Sequence, residues 1–127
     1  MIFLFFSPSI LISNHLVSKC MNQIGIVGWG FVGQATGKGL AKNKKNKIFV
    51  YDKQRTSSLT LPEVVAKSEF IFVCLPTPMK DDESGIDLSI IEEMMGEITK
   101  YTDSTEKIIV IKSTVTPGTT AKFAEKF

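Results

Sequence analysis

The sequence predicts an α/β fold in which one doubly wound parallel sheet of about four strands carries helices on both faces. Three observations support this prediction. Four short apolar runs rich in Ile, Val and Phe are separated by stretches of helical periodicity. A glycine-rich turn directly follows the first run. The length of 127 residues and the hydrophobic content of 43% suit one domain with its own core.

The four predicted strands span about 23–27, 47–51, 69–75 and 107–112. Their apolar residues are continuous rather than alternating, which is typical of strands buried on both faces. The helix after the first strand is expected to face the core with Val32, Ala35, Gly39 and Leu40. A short second helix spans about 61–67, with Pro62 in its first turn.

Two further helices are predicted from their start signals. Asp87 is the expected N-cap of the third helix, which ends near Lys100. The core-facing residues of this helix are Leu88, Ile91, Met95 and Ile98. Thr116 is the expected cap of the last helix, with Pro117 at its first position.

The glycine turn joins the first strand to the first helix and consists of Gly28, Trp29, Gly30, Phe31, Val32 and Gly33. Gly28 allows a tight turn, Gly30 lets a pyrophosphate approach the backbone, and Gly33 lets the helix pack closely on the strand. The first N–H groups of the helix have no partner within it, and the helix dipole favours an anion there. The pattern therefore predicts a Rossmann-like, dinucleotide-binding domain.

An acidic residue follows at the expected spacing, since Asp52 ends the second strand nineteen residues after Gly33. Its carboxylate would accept hydrogen bonds from the adenosine ribose and repel a 2′-phosphate, so NAD is predicted rather than NADP. Lys53 and Arg55 follow closely and would soften that preference. The alternative is a turn without a ligand, in which Asp52 only caps the strand end.

Composition argues against several other functions. The net charge of +2 points to neither nucleic acid nor an anionic membrane as a partner. Cys20 and Cys74 indicate no disulfide scaffold or zinc site, and packing is the expected role of Cys74 within a strand. The acidic loop 79–85 has consecutive carboxylates without a second cluster, so no metal site is predicted.

Residues 1–20 are predicted to be an N-terminal extension outside the fold, and 21–127 to form an incomplete NAD-binding domain. The apolar part of the extension is too short and too often interrupted to span a membrane. It also lacks the Lys or Arg residues that precede the apolar part of a signal peptide. Met21 directly precedes the first strand, which points to a misassigned start. A weak membrane anchor is the alternative. NAD-linked chemistry is expected in the cytoplasm.

Two more loops follow predicted strands, at the edge where parallel sheets bind ligands. The first consists of Leu75, Pro76, Thr77 and Pro78, and the second spans 112–119. Each places a hydroxyl group and a rigid backbone at this edge. The alternatives are a stiff strand exit at the two prolines and a helix cap at Thr116, and neither excludes binding.

Together with the glycine turn, these loops resemble the N-terminal domain of the UDP-glucose/GDP-mannose dehydrogenase family. That family has a turn reading G-x-G-[YF]-V-G, a V-P-T-P-like segment, an acidic loop followed by D-L-S, and K-S-T-V-x-P-G-T. The matching residues here are 28–33, 75–78, 87–89 and 112–119. The ordered set covers about 21–127.

The resemblance implies a role for each matching segment. The glycine turn and Asp52 would hold the ADP half of NAD, and Thr77 with its neighbours would contact the ribose and pyrophosphate. Ser113, Thr114 and Val115 would lie near the nicotinamide ribose. The resemblance also implies that Thr114 helps to position a catalytic water. The implied reaction oxidises the C6 alcohol of a UDP- or GDP-linked sugar to a carboxylate by two successive hydride transfers, which reduce two NAD per sugar.

Two departures from the family pattern matter. Only about twenty residues separate Asp52 from the L-P-T-P segment, so a strand and helices typical of the family are missing. The third strand should then lie beside the first, which gives the order 2-1-3-4. The sequence also stops at Phe127, before the family's catalytic Lys, Asn and Cys and its sugar-binding domain. We therefore expect the chain alone to be inactive.

Other hypotheses stay open at this stage. One is a stand-alone or degenerate NAD-binding module without catalysis. Another is a different dehydrogenase, such as a member of the β-hydroxyacid group, although the two loops argue against it. The last strand is expected to be an uncovered edge, which would promote association. We thus expect a homo-oligomer, or pairing with a missing C-terminal half.

Overall fold

The computed structural model describes residues 3–5, 21–56, 58–82, 84–102 and 106–127. Within these ranges one sheet contains the strands β1 (Phe3–Phe5), β2 (Asn22–Val27), β3 (Asn46–Tyr51), β4 (Phe70–Val73) and β5 (Ile108–Ile111). The strand order is β1-β5-β4-β2-β3, and β2 to β5 are parallel. The predicted parallel sheet is confirmed, and so is the order of its four strands, because the third predicted strand lies beside the first.

The helices alternate with these strands as predicted. In the described part of the chain they are α1 (Phe31–Ala41), α2 (Leu61–Lys67), α3 (Ser89–Lys100) and α4 (Thr119–Lys126). A parallel pair needs a crossover from one end of the sheet to the other, and each of the first three helices supplies one. Every loop that follows a parallel strand therefore emerges at the same edge of the sheet.

Short-range hydrogen bonds fix the starts of two helices. At α2, the backbone N–H and the Oγ1 of Thr60 donate to Glu63 Oε2 at 2.8 and 2.7 Å. These bonds, with that from the Thr60 side chain contributing most, lower the pKa of Glu63. At α3, Asp87 Oδ1 accepts from the Ser89 N–H at 2.9 Å. The N-cap of this helix is Leu88, however, so the predicted cap at Asp87 lies one residue too early.

Helix α4 begins later than predicted. Gly118 directly precedes it with a φ of 86°, a left-handed conformation that cannot continue an α-helix. The Thr119 N–H donates to the Thr116 carbonyl at 3.2 Å, which closes a turn around Pro117 and Gly118. Thr116 and Pro117 thus belong to the turn before the helix.

The sheet has two unequal faces. Successive strand residues point to opposite sides, so alternate positions contribute to each face. One side, the α2–α4 face, buries Val27, Leu61, Val65, Ile71, Val73, Ile91, Met95, Ile98, Ile109, Ile111 and Phe123 in one cluster. The other side, the α1 face, buries Ile24, Ile26 and Cys74, with half-buried residues around them that include Trp29 and Leu40. Helices on both faces make the sheet doubly wound.

The predicted core face of α1 is wrong at three of its four positions, and only Leu40 is half-buried and packs against the cluster of the α1 face. Val32 is 47% exposed, and Ala35 and Gly39 are also exposed. The buried positions of this helix are Gly33 and Gly37. The reason is that the helix approaches through its glycines, since Gly33 lies against the Gly28 backbone and Gly37 lies against the Trp29 ring.

Three residues of the predicted N-terminal extension take part in the sheet. Strand β1 pairs antiparallel with β5, with Phe3 opposite Val110 and Phe5 opposite Ile108. The expectation that β5 would be an uncovered edge is therefore wrong, because β1 pairs with its outer side. Residues 6–20 lie outside the described ranges, so the division at residue 20 stays a prediction. No described helix is long and apolar enough to cross a membrane.

Candidate functional site

The glycine turn leaves β2 in a conformation that only glycine adopts easily. Gly28 has a φ of 93°, and its N–H donates to the Tyr51 carbonyl of the neighbouring strand at 2.9 Å. A Cβ at Gly28 would lie 2.5 Å from the Cys74 carbonyl oxygen, and one at Gly33 would lie 1.9 Å from that of Gly28. The turn therefore leaves no space for a side chain where Gly28 faces the end of β4 or where Gly33 of α1 packs on Gly28.

The opposite side of the turn is open. A Cβ at Gly30 would meet nothing within 4 Å. Gly30 is the N-cap of α1, and no side chain caps this helix or places an acid in its first turn. Phe31 at the first position is 90% exposed. An uncapped helix start beside an open glycine is a site that suits a phosphate.

Asp52 is fixed by backbone donors on both of its oxygens. The Trp29 N–H in the glycine turn donates to Oδ2 at 2.6 Å, and the Gln54 N–H donates to Oδ1 at 2.8 Å. A carboxylate has lone pairs for about four hydrogen bonds, so acceptor capacity remains for two ribose hydroxyls. The Trp29 bond joins the acid at the end of β3 to the turn at the end of β2.

The two loops after β4 and β5 are joined by Ser113. The Leu75 N–H donates to Ser113 Oγ at 2.9 Å, and Ser113 Oγ donates to the Leu75 carbonyl at 2.7 Å. Leu75 also lies against the glycine turn, since its Cδ2 would be 3.1 Å from a Cβ at Gly28. The three segments predicted from the sequence thus form one continuous edge.

The remaining predicted residues lie on the same edge with different exposure. Thr77 is half-buried, and Pro76 and Pro78 are exposed. Thr114 is exposed, while the half-buried Val115 packs against the cluster of the α2–α4 face. The exposed Thr114 lies next to Ser113, which joins the two loops.

Cys74 packs beneath this edge. It is buried, and burial raises the pKa of its thiol against the smaller opposing effects of Lys112 and a hydrogen bond with Thr36. A thiol held neutral is a poor nucleophile, which agrees with a packing role. The acidic loop closes through pairing of Met79 with Ile86. In the described ranges, no group of three His, Cys, Asp or Glu side chains is arranged to hold a metal ion.

Sequence reasoning missed one residue of the site, Gln34. Its Nε2 donates to the Trp29 carbonyl at 3.1 Å, and its backbone N–H donates to the Gly30 carbonyl at 2.9 Å. The available signal was a polar side chain one turn into a helix that otherwise starts with apolar and small residues. Ser113 was expected near the nicotinamide ribose, and its contact with Leu75 could not be read from spacing.

A comparison with known proteins identifies the family. The model of the UDP-glucose/GDP-mannose dehydrogenase family, NAD binding domain, matches residues 49–127, which is more than half of the chain. The chain belongs to this family. Its cofactor is therefore NAD, as predicted, and its relatives are dehydrogenases. The glycine turn precedes the matched segment, so its assignment rests on the geometry above. No curated protein sequence matches the chain.

Solved structures share the fold. A ternary complex of GDP-mannose dehydrogenase from Pseudomonas aeruginosa is 23% identical, with a TM-score of 0.66 over 80% of this chain. An NDP-N-acetyl-D-galactosaminuronic acid dehydrogenase from Methanosarcina mazei Go1 is 19% identical, with a TM-score of 0.66 over 84% of this chain. The chain spans about 30% of the length of each.

Proposed function

We propose that this chain forms the NAD-binding part of a nucleotide-sugar 6-dehydrogenase of the UDP-glucose/GDP-mannose type. The observation that carries the proposal is the hydrogen bond between the Trp29 N–H and the Asp52 carboxylate at 2.6 Å. It couples the group that would hold the adenosine ribose to the turn that would hold the pyrophosphate. Family membership supports the dehydrogenase class.

The cofactor would lie across the open side of the glycine turn. Its ribose hydroxyls would donate to Asp52, and its pyrophosphate would approach Gly30 and the uncapped start of α1. The exposed Phe31 and Val32 flank this approach and would be partly covered by the cofactor. The Asp52 charge would repel the 2′-phosphate of NADP, which favours NAD.

The rest of the cofactor would lie against the other two loops, with the ribose and pyrophosphate region near Thr77 and the nicotinamide ribose near Thr114. Leu75, Pro76, Thr77 and Pro78 would line one side, and Ser113 would hold that segment against Thr114 and Val115. Bound NAD supplies the hydride acceptor for oxidation at the sugar C6. Thr114 would orient a water molecule with its exposed hydroxyl, which makes it the candidate catalytic residue of this chain.

The substrate and surroundings belong to the same proposal. A UDP- or GDP-linked sugar would be bound by parts of the enzyme beyond the 30% of length shared with the two solved structures. NAD-linked chemistry of this kind suits the cytoplasm. Association with a second copy or with the remainder of the enzyme would complete the site.

The cofactor part is tested by titration with NAD and NADP, followed by the fluorescence of Trp29, the single tryptophan of the chain. NAD is expected to saturate the signal and to bind more tightly than NADP. Asp52→Ala should weaken NAD binding about 10- to 100-fold, since it removes hydrogen bonds to a charged group. Asp52→Asn keeps an oxygen acceptor without the charge, and should reduce the preference for NAD over NADP.

Glu125→Ala is the matched control, because it removes an exposed carboxylate from α4, away from this edge. Its affinity for NAD should equal that of the wild type. Unchanged NAD affinity in Asp52→Ala would contradict the assignment of the ribose site. Formation of NADH from UDP-glucose or GDP-mannose is expected only when the rest of the enzyme is supplied. NADH formation by the chain alone would contradict that requirement.

A further inference from the structure

Trp29 is held at both ends of its backbone and by its ring. Its N–H donates to Asp52 Oδ2 at 2.6 Å, and its carbonyl accepts from Gln34 Nε2 at 3.1 Å. Its indole lies against α1, because a Cβ at Gly37 would be 2.5 Å from Trp29 Cζ3. The Asp52 bond orients the peptide before Trp29, whereas the Gln34 bond orients the peptide after it.

The second peptide is the one that faces the open side of the turn. The Trp29 carbonyl and the Gly30 N–H belong to one planar unit, and no described peptide bond is cis. In a trans peptide these two groups point in opposite directions, so holding the carbonyl sets the direction of the N–H. Gly30 is the residue with open space around it, where the pyrophosphate would approach.

The Gln34 side chain is itself oriented by a neighbour. Lys38 Nζ lies 3.5 Å from Gln34 Oε1, one helical turn further along α1. Lysine only donates hydrogen bonds, so the amide oxygen faces Lys38 and the amide NH₂ faces the Trp29 carbonyl. A hydrogen-bonded chain thus runs from Lys38 through Gln34 to the Trp29–Gly30 peptide.

We propose that Gln34 is a positioning residue for the pyrophosphate of NAD. It acts through the Trp29–Gly30 peptide and fixes the direction of the Gly30 N–H without contacting the cofactor. The inference rests on the proposed NAD site. It adds a residue that affects binding of the pyrophosphate but not binding of the adenosine. Asp52 would serve the ribose, whereas Gln34 would serve the pyrophosphate.

The test compares ligands with and without the pyrophosphate. Gln34→Met keeps the length of the side chain and removes the donor. Binding of NAD, ADP and adenosine to the full chain is followed by Trp29 fluorescence. Affinity for NAD and ADP should fall about 3- to 10-fold, as expected for one hydrogen bond, while affinity for adenosine stays within about twofold. Gln23→Met, an exposed change at the far end of β2, is the matched control and should change none of the three.

The outcomes distinguish a positioning role of Gln34 from a general effect on the fold. Equal losses for adenosine and ADP would overturn the proposal, because a general disturbance of the fold would affect both ligands alike. Unchanged affinity for NAD would also overturn it. Gln34→Asn, one methylene too short to reach Trp29, provides a second variant and should repeat the pattern of Gln34→Met. If wild-type protein fails to bind NAD, the proposed function itself is wrong, which is distinguishable from failure of the Gln34 variants alone.

Discussion

The two faces of the sheet are built on different principles. On the α2–α4 face, three helices pack against the strands through large apolar side chains such as Ile91, Met95 and Ile98. On the α1 face, a single helix approaches through Gly33 and Gly37, and the main side chain beneath it, Trp29, comes from the glycine turn. One face gains stability from buried apolar surface, while the other uses close backbone approach to shape the site.

The difference shows how the fold separates stability from function. The α3 residues Ile91, Met95 and Ile98 on the α2–α4 face are fully buried and belong to an element outside the glycine turn, so their substitution should change stability more than ligand affinity. Residues of the turn on the α1 face contact several parts of the candidate site at once. Substitutions there should change both quantities together.

The largest effect is expected for Gly28→Ala. The substitution forces a side chain into a left-handed conformation at φ 93° and places its Cβ 2.5 Å from the Cys74 carbonyl oxygen. Together these costs should lower the free energy of unfolding by about 4 kcal/mol and abolish NAD binding. Chemical denaturation and Trp29 fluorescence measure the two effects.

Gly85→Ala is the control for this prediction. Gly85 also has a positive φ, of 152°, but a Cβ there would meet nothing within 4 Å. Its loss of stability should be about 1–2 kcal/mol, from backbone strain alone. Similar losses at Gly28 and Gly85 would mean that the turn is not tightly packed against β4.

Met95→Ala on the α2–α4 face should have the next largest effect. Met95 is fully buried in the cluster of that face, so truncation should cost about 3 kcal/mol through lost burial and a cavity. Its half-buried neighbour Met94 gives the matched variant, and Met94→Ala should cost about 1 kcal/mol or less. Both variants should keep wild-type NAD affinity when folded, and a large loss of affinity in Met95→Ala would break the separation between the faces.

The smallest effects come from a pair of glycines on α1. Gly37→Ala would place a Cβ 2.5 Å from the Trp29 ring, so the ring must shift at a cost of about 1–2 kcal/mol. Gly39→Ala meets open space and should stabilise the helix by about 0.5–1 kcal/mol. Thermal unfolding and the Trp29 emission spectrum measure both variants. If Gly37→Ala and Gly39→Ala changed the free energy of unfolding by the same amount in the same direction, close packing of α1 through Gly37 would be contradicted.

Much of the architecture could be predicted because its signals are local. The apolar runs predicted four parallel strands. The short connection between Asp52 and the L-P-T-P segment predicted the order of these strands in the sheet. The spacing from Gly33 to Asp52 indicated a dinucleotide site, and family membership confirms NAD as the cofactor. The core positions Ile91, Met95 and Ile98 of α3 were also predicted correctly, since large apolar side chains reveal the buried face of a helix.

The failures occurred where hydrophobicity carries no information. Apolar periodicity selected Val32 and Ala35 as the core face of α1, although that helix packs through glycines, which contribute nothing to a hydrophobic pattern. The start of α4 was predicted too early because the φ of Gly118 depends on its turn. Residues 3–5 pair with β5 through backbone groups, and because every residue type has these groups, the pairing leaves no signal in the sequence.

The sequence by itself determined the strands, the glycine turn and the acid that follows it, because each depends on residue type at a fixed spacing. Only the tertiary structure decided how the site is held together. The Trp29 contacts with Asp52 and Gln34, and the bridge from Ser113 to Leu75, join residues from different elements. Such contacts depend on how closely strands and helices approach one another in space, and that distance follows from packing of the whole domain.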